Sequence, residues 1–256
     1  MESEDKAYKE NSKFWIDKGD KITLVGDFLG RVPSIELINP IKKEKILDAG
    51  CGNGFISRKL ALRGSKVYGC DRNKEMLNGA IELEAEDSLR IKYQLADITN
   101  LPYENNFFDK IACIAVLIHN SPEECKKFFS EANRTLKDNG LLFISLMHPY
   151  LFSEDSPCRK KETSWVNYEP IEKISLENSQ KFKENYYNSK REMFSSIVWY
   201  HPKENLLNLL KDSGFEIIST HEQFMTEETL KNTNHSGPIG YPAFLQIVAQ
   251  VKPKIL

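Results

Sequence analysis

Apolar and polar positions come in short blocks along the middle of this chain, and the blocks read as strands and helices in turn. Lys45–Ala49 is an apolar run of the length of a buried strand. After Gly54 the spacing becomes i, i+4, with Ile56 and Leu60 on one side, and Gly64 stands where a helix would stop. Residues 66–70 form a second apolar run. Asn73 is placed to cap a helix presenting Met76, Leu77, Ala80 and Ile81. Residues 91–95 and 110–116 predict a third and a fourth strand. Ser121-Pro122-Glu123-Glu124 opens a helix with Ser at the cap, Pro in the first turn and Glu three positions on. That helix carries Phe128, Phe129, Ala132 and Leu136, and Asn139-Gly140 turns into a fifth strand at 141–146.

Strands alternating with helices predict an α/β fold: a doubly wound parallel sheet with helices on both faces. Residues 1–40 are polar with isolated aromatics (Tyr8, Phe14, Trp15) and predict a short helical N-terminal cap. After 147 the alternation breaks. Residues 150–196 are charged and turn-rich with little strand pattern, which predicts a lid or binding insertion. Residues 150–200 nevertheless hold ten of the 27 aromatics, twice their share by length. Order returns with a helix over 202–210, closed at Gly214, and two strands over 215–220 and 244–251. The whole, 1–256, fits one domain with a lid.

Charge narrows the partners. The 35 basic and 37 acidic residues are interspersed, so no basic stripe supports a nucleic-acid partner. The longest clean apolar run, 111–118, is too short for a bilayer, and the acidic opening Met1-Glu2-Ser3-Glu4-Asp5 is unlike a signal peptide. Five cysteines without a C-x-x-C pair suit a reducing compartment, so a cytoplasmic location is expected.

The chemistry gathers in one string. Ile46-Leu47-Asp48-Ala49 runs into Gly50-Cys51-Gly52-Asn53-Gly54, and Asp71 lies 21 residues beyond Gly50 at the end of the second strand. A strand, a glycine turn, a helix and then an acid is the arrangement that binds the ribose of an adenosine-containing cofactor. A dinucleotide turn wants its third glycine one position later, where this chain has Phe55. Asp48 beside the turn adds negative charge where a pyrophosphate would lie. The site suits a cationic ligand instead, and S-adenosylmethionine has a sulfonium, an ammonium and no phosphate.

With these residues the chain resembles the class I S-adenosylmethionine-dependent methyltransferases of the small-molecule type. The resemblance covers 45–147 and extends to the final strand pair. Leu47-Asp48-Ala49-Gly50-Cys51-Gly52-Asn53-Gly54 is similar to that family's first motif. Asp71 matches the acid that accepts from both ribose hydroxyls, and Ala96-Asp97-Ile98 before Leu101-Pro102 resembles the stretch that brings a carboxylate to the adenine amino group. Phe107-Phe108-Asp109 and Gly140 complete the series. The resemblance implies a seven-stranded, mostly parallel Rossmann-like sheet with an antiparallel last strand. It implies a cofactor site of Asp48, Gly50, Cys51, Gly52, Asn53, Asp71, Arg72, Met76, Asp97, Ile98 and Ala115. It also implies methyl transfer to nitrogen or oxygen of a small-molecule acceptor, releasing S-adenosylhomocysteine.

A general base is needed only for a weakly nucleophilic acceptor. Candidates follow the strands: His148 after the fifth comes first, then His201 after the lid and His119 after the fourth, while Tyr150 is a candidate to orient an acceptor through its hydroxyl. Trp15, Trp165 and Tyr168, with Tyr8, Tyr186 and Tyr187, are candidates for an aromatic acceptor wall. The Asn/Asp-Pro-Pro-aromatic string of nucleobase methylation is absent after the fourth strand, and Asn120 alone makes no metal cluster, so no metal is expected. A cofactor-binding regulatory subunit, an RNA methyltransferase and a nicotinamide-dependent oxidoreductase are the alternatives.

Overall fold

The computed structural model describes residues 22–173, 175, 177–187 and 192–253. Tyr8 and Trp15, expected in the N-terminal cap and the aromatic wall, lie outside the described residues.

A seven-stranded sheet forms the centre. Its strands are β1 (Lys45–Ala49), β2 (Lys66–Asp71), β3 (Lys92–Leu95), β4 (Phe108–Ile114), β5 (Leu136–Met147), β9 (Phe215–Phe224) and β10 (Pro242–Val251). They lie in the order β3-β2-β1-β4-β5-β10-β9. The first five pair in parallel, and β10 inserts antiparallel between β5 and β9. The sheet reverses its winding between β1 and β4, and ligands of such sheets bind at the carboxyl ends beside that reversal.

Helices α2 (Phe55–Leu62), α3 (Lys74–Glu86), α4 (Pro122–Thr135) and α5 (Lys203–Asp212) accompany the sheet, with α6 (Glu227–Thr233) leading back to β10. Each buries one stripe: α2 buries Phe55, Ile56 and Leu60, and α4 buries Cys125, Phe128, Phe129 and Ala132. The start of α4 is fixed as its sequence predicts. Ser121 Oγ accepts from the Glu124 N–H at 3.2 Å, and Glu124 Oε2 accepts from the Ser121 N–H at 2.7 Å.

The described part of the N-terminal cap is helical. A π-helical turn, Asp27–Arg31, leads into α1 (Val32–Ile38). Asp27 is fully buried. Its Oδ2 accepts from the Thr23 and Leu24 N–H groups at 3.0 and 2.9 Å, and its Oδ1 holds Arg31 Nη1 at 2.9 Å. Gln246 Nε2 of β10 donates to Ser34 Oγ at 2.9 Å and seats the cap on the sheet.

The segment 150–196 departs from its predicted texture. It contains β6 (Val166–Pro170) and β7 (Gln180–Tyr187), and with β8 (Met193–Tyr200) these form a three-stranded antiparallel sheet. Gln180, Phe182, Glu184 and Tyr186 share one face of β7, and the last three are buried. Two polar residues at inward positions hide the period of two. Glu184 is tolerated there because Tyr168 OH donates to its Oε1 at 3.1 Å and Ser196 Oγ to its Oε2 at 3.0 Å.

Boundaries differ elsewhere by a few residues. β4 ends at Ile114 because Ala115 takes a left-handed conformation (φ 60°), and Leu117–His119 follows as a 3-10 turn. β5 starts at Leu136, earlier than the predicted 141. No helix among the described residues is long and apolar enough to cross a membrane.

Candidate active site

The cleft lies at the carboxyl ends of β1, β2 and β4, and measures about 1010 Å³ with its open mouth included. The glycine turn is its floor. Gly50, Gly52 and Gly54 all have positive φ (77°, 53° and 83°). At Gly50 a second constraint applies, since a Cβ there would sit 2.5 Å from Val116 Cγ2. The Gly50 and Cys51 N–H groups both donate to the Cys70 carbonyl at 2.8 and 2.9 Å, which curls the turn back over β2.

Two carboxylates face this turn. Asp71 Oδ2 accepts from the Gly52 N–H at 2.8 Å and its Oδ1 from the Asn73 N–H at 2.7 Å. One side chain thus locks the glycine turn to the start of α3, and each oxygen keeps a further acceptor site. Burial raises its pKa, and the two N–H groups oppose that rise. Asp48 is 2% exposed. Burial pushes its pKa up to about 6, against the hydrogen bond that Ser57 Oγ donates to Oδ2 at 2.6 Å. Asp48 is mostly an anion at neutral pH, and Arg31 and Arg72 also line the cleft. The Arg31 guanidinium lies 5.6 Å from the centroid of the Phe55 ring.

Of the eleven positions expected for the cofactor, ten line this cleft: Asp48, Gly50, Cys51, Gly52, Asn53, Asp71, Arg72, Met76, Ile98 and Ala115. Asp97 lies outside the lining. Its Oδ1 accepts from the Thr99 N–H and hydroxyl, both at 2.8 Å, so the carboxylate braces its own turn while Ile98 faces inward.

The histidines separate. His119 lines the cleft beside Asn120. His148 is outside the cleft lining and caps the 3-10 turn Pro149–Phe152: its Nδ1 accepts from the Tyr150 N–H at 3.1 Å. The proton therefore sits on Nε2, 3.4 Å from Glu222 Oε1. Burial lowers the His148 pKa despite that carboxylate. His201 is 3% exposed, and its Nε2 lies 3.1 Å from the carbonyls of both Leu117 and Asn120. Carbonyls only accept, so Nε2 carries the proton and Nδ1 takes the Ser179 hydroxyl at 3.2 Å. His201 pins the lid sheet to the end of β4.

The aromatic wall is also elsewhere. Trp165 is fully buried and donates from Nε1 to Tyr241 OH at 3.0 Å. Tyr168 is 1% exposed and bound to Glu184, and Tyr150 OH donates to the Asp155 carbonyl at 3.4 Å. Neither Tyr186 nor Tyr187 lines the cleft. Sequence reasoning missed Arg31, whose only signal was its place in the helical cap before the glycine string. Among the described residues no three His, Cys, Asp or Glu side chains gather to hold a metal.

A family model described as a methyltransferase domain matches residues 46–140, the part that builds β1 to β4 and the cleft floor. This stretch is similar to a methyltransferase domain. A ubiquinone biosynthesis O-methyltransferase of Coxiella burnetii is 29% identical over 130 residues, covering 46% of this chain and 55% of that one. The chain therefore spans about half the length of the curated relatives it matches. An S-adenosylmethionine-dependent methyltransferase of Methanosarcina mazei shares the fold with a TM-score of 0.62 at 20% identity, over 86% of this chain and 98% of that one. A 1,6-didemethyltoxoflavin N1-methyltransferase of Burkholderia thailandensis, with S-adenosylhomocysteine bound, shares it with a TM-score of 0.56 at 14% identity, over 96% and 84%.

Proposed function

We propose that this chain is an S-adenosylmethionine-dependent methyltransferase acting on a nitrogen or oxygen atom of a small-molecule acceptor. The charge pattern of the cleft carries the reading: a buried carboxylate, Asp48, and a half-buried one, Asp71, beside a glycine turn, with Arg31 and Arg72 at its edge. A pyrophosphate would meet the Asp48 anion and the Phe55 ring. A ligand with an ammonium, a carboxylate and a ribose meets a counter-charge or an acceptor for each.

S-adenosylmethionine supplies an activated methyl that leaves by in-line displacement, so the chain mainly aligns and dries the site. The Asp71 oxygens are placed for the ribose diol, Asp48 for the positive end, and Arg31 for the carboxylate. The glycine turn lets backbone approach without a Cβ. Met76 and Ile98 offer apolar faces for a flat base. His119 and Asn120 face the acceptor side, and His119 is the group placed to take a proton from a hydroxyl acceptor. The O-methyltransferase relative favours oxygen as the atom methylated.

Thermal shift decides the cofactor. S-adenosylhomocysteine is expected to raise the melting temperature, and NAD to leave it unchanged. Stabilisation by NAD alone overturns the reading. If S-adenosylhomocysteine binds but no donor is consumed with a panel of phenols, amines and heterocycles, a regulatory cofactor-binding role replaces the enzyme.

A further inference from the structure

The inner face of the lid sheet carries hydrogen-bond donors with nothing to donate to. Arg159 reaches from the turn-rich stretch before β6 onto this face, its Cζ 5.5 Å from the centroid of the Phe182 ring. Its Nε and Nη1 are buried and have no hydrogen-bond partner among the described residues. Gln180 stands two residues from Phe182 on the same face of β7, and its Nε2 is buried and unpartnered in the same way. Its other amide atom is fixed, since Gln180 Oε1 accepts from the Ser175 N–H at 2.7 Å.

No carboxylate among the described residues forms an ion pair with Arg159; Glu154 acts on it only at longer range and is itself exposed. The buried Glu184 on the same face spends both oxygens on Tyr168 and Ser196. Burial lowers the Arg159 pKa, yet a guanidinium keeps its charge in proteins. Buried donors are nearly always paired, so three orphans on one face need an explanation. The surroundings are aromatic: Phe152 packs on Phe182 at 5.0 Å and on Tyr200 at 5.4 Å, and Tyr200 pairs with Gln180 across the strands. The next residue, His201, is tied to the carbonyl of Asn120 in the cleft wall.

We propose that Arg159 and Gln180 form an anion subsite that holds a carboxylate carried on a flat ring, and that this is the distal end of the acceptor. The link to the acceptor rests on the methyltransferase reading; the anion site does not. A guanidinium presents Nε–H and Nη–H in parallel, which matches the two oxygens of a carboxylate. The Gln180 amide adds a third donor, and Phe182, Phe152 and Tyr200 supply the apolar walls.

Isothermal titration of the full chain with benzoate, benzamide and inorganic phosphate tests this, with S-adenosylhomocysteine titrated in parallel. Benzoate is expected to bind, benzamide at least tenfold more weakly. Arg159→Met is expected to weaken benzoate at least tenfold. Arg159→Lys keeps the charge but loses the fork and is expected to fall between, and Gln180→Leu to weaken benzoate severalfold. All three are expected to bind S-adenosylhomocysteine like the parent, which also shows that they fold. Equal binding of benzoate and benzamide, unchanged benzoate binding in Arg159→Met, binding of phosphate without benzoate, or no benzoate binding each overturns the subsite. Failure of S-adenosylhomocysteine to bind the parent overturns the methyltransferase reading and leaves the benzoate result standing on its own.

Discussion

At the scale of single residues, Asp48 sets function against stability. Its pKa is raised from 3.8 to about 6 by burial, so the folded chain disfavours the anion by about 3 kcal/mol at neutral pH. The sign follows from the direction. Below pH 4 the group is protonated folded or unfolded and the penalty is absent; it grows from pH 4 to 6 and is complete above. On the proposed function, donor affinity is expected to run the other way, since only the anion attracts a cation. Asp48→Asn is therefore expected to raise the melting temperature of the ligand-free chain at pH 7 and to weaken S-adenosylmethionine about tenfold. In the parent, titration at pH 5 should show weaker binding than at pH 7.5. Asp71→Ala removes the acceptor proposed for the diol and releases the Gly52 and Asn73 N–H groups. Calorimetry should show a loss of about 1.5–3 kcal/mol in S-adenosylhomocysteine binding. The histidines divide by what their nitrogens touch. His119→Ala should lower turnover at least tenfold and leave the melting temperature within about 2 °C, whereas His148→Ala, which uncaps a turn outside the cleft, should lower stability more than turnover.

At the scale of elements, the seam between the lid sheet and β4 depends on His201. Its one proton serves two carbonyls, and its other nitrogen takes the Ser179 hydroxyl. His201→Ala strands those groups in a buried place and should cost about 2–3 kcal/mol, read as a melting point lower by roughly 5–10 °C. The central elements were legible because each carried a local signal that agreed with its burial. The Ser121 capping box, the Asn73 cap and the apolar runs of β1 and β4 needed no tertiary information. The cleft floor was legible for the same reason, since Asp48, the glycines and Asp71 sit at strand ends fixed by topology. The lid sheet was not. Its inward positions include Gln180 and Glu184, and only the cross-strand neighbours Tyr168 and Ser196 make Glu184 tolerable there. Asp97 shows the limit on the site side: a motif places a carboxylate, but Thr99 takes its Oδ1 and the residue lies outside the cleft lining.

At the scale of the whole molecule, two buried side chains at separated points help to bond the lid sheet to the central fold. One is His201 at the end of β4. The other is Trp165 at the start of β6, fully buried, with its indole N–H on the hydroxyl of Tyr241 and its carbonyl accepting from the Tyr187 N–H at 2.8 Å. An aromatic cluster of Phe152, Tyr168, Phe182 and Tyr200 joins the lid to the turn after β5. A segment held this way is expected to melt with the core. Trp165→Phe keeps most of the ring volume but leaves the Tyr241 hydroxyl without its donor. It should cost about 2 kcal/mol and lower a single calorimetric transition by roughly 4–8 °C. Affinity for S-adenosylhomocysteine should not move, because Trp165 is absent from the cleft lining. A second, earlier transition in Trp165→Phe or in the parent would instead mean that the lid unfolds by itself, and its aromatic seam would then be a contact that opens rather than part of the core.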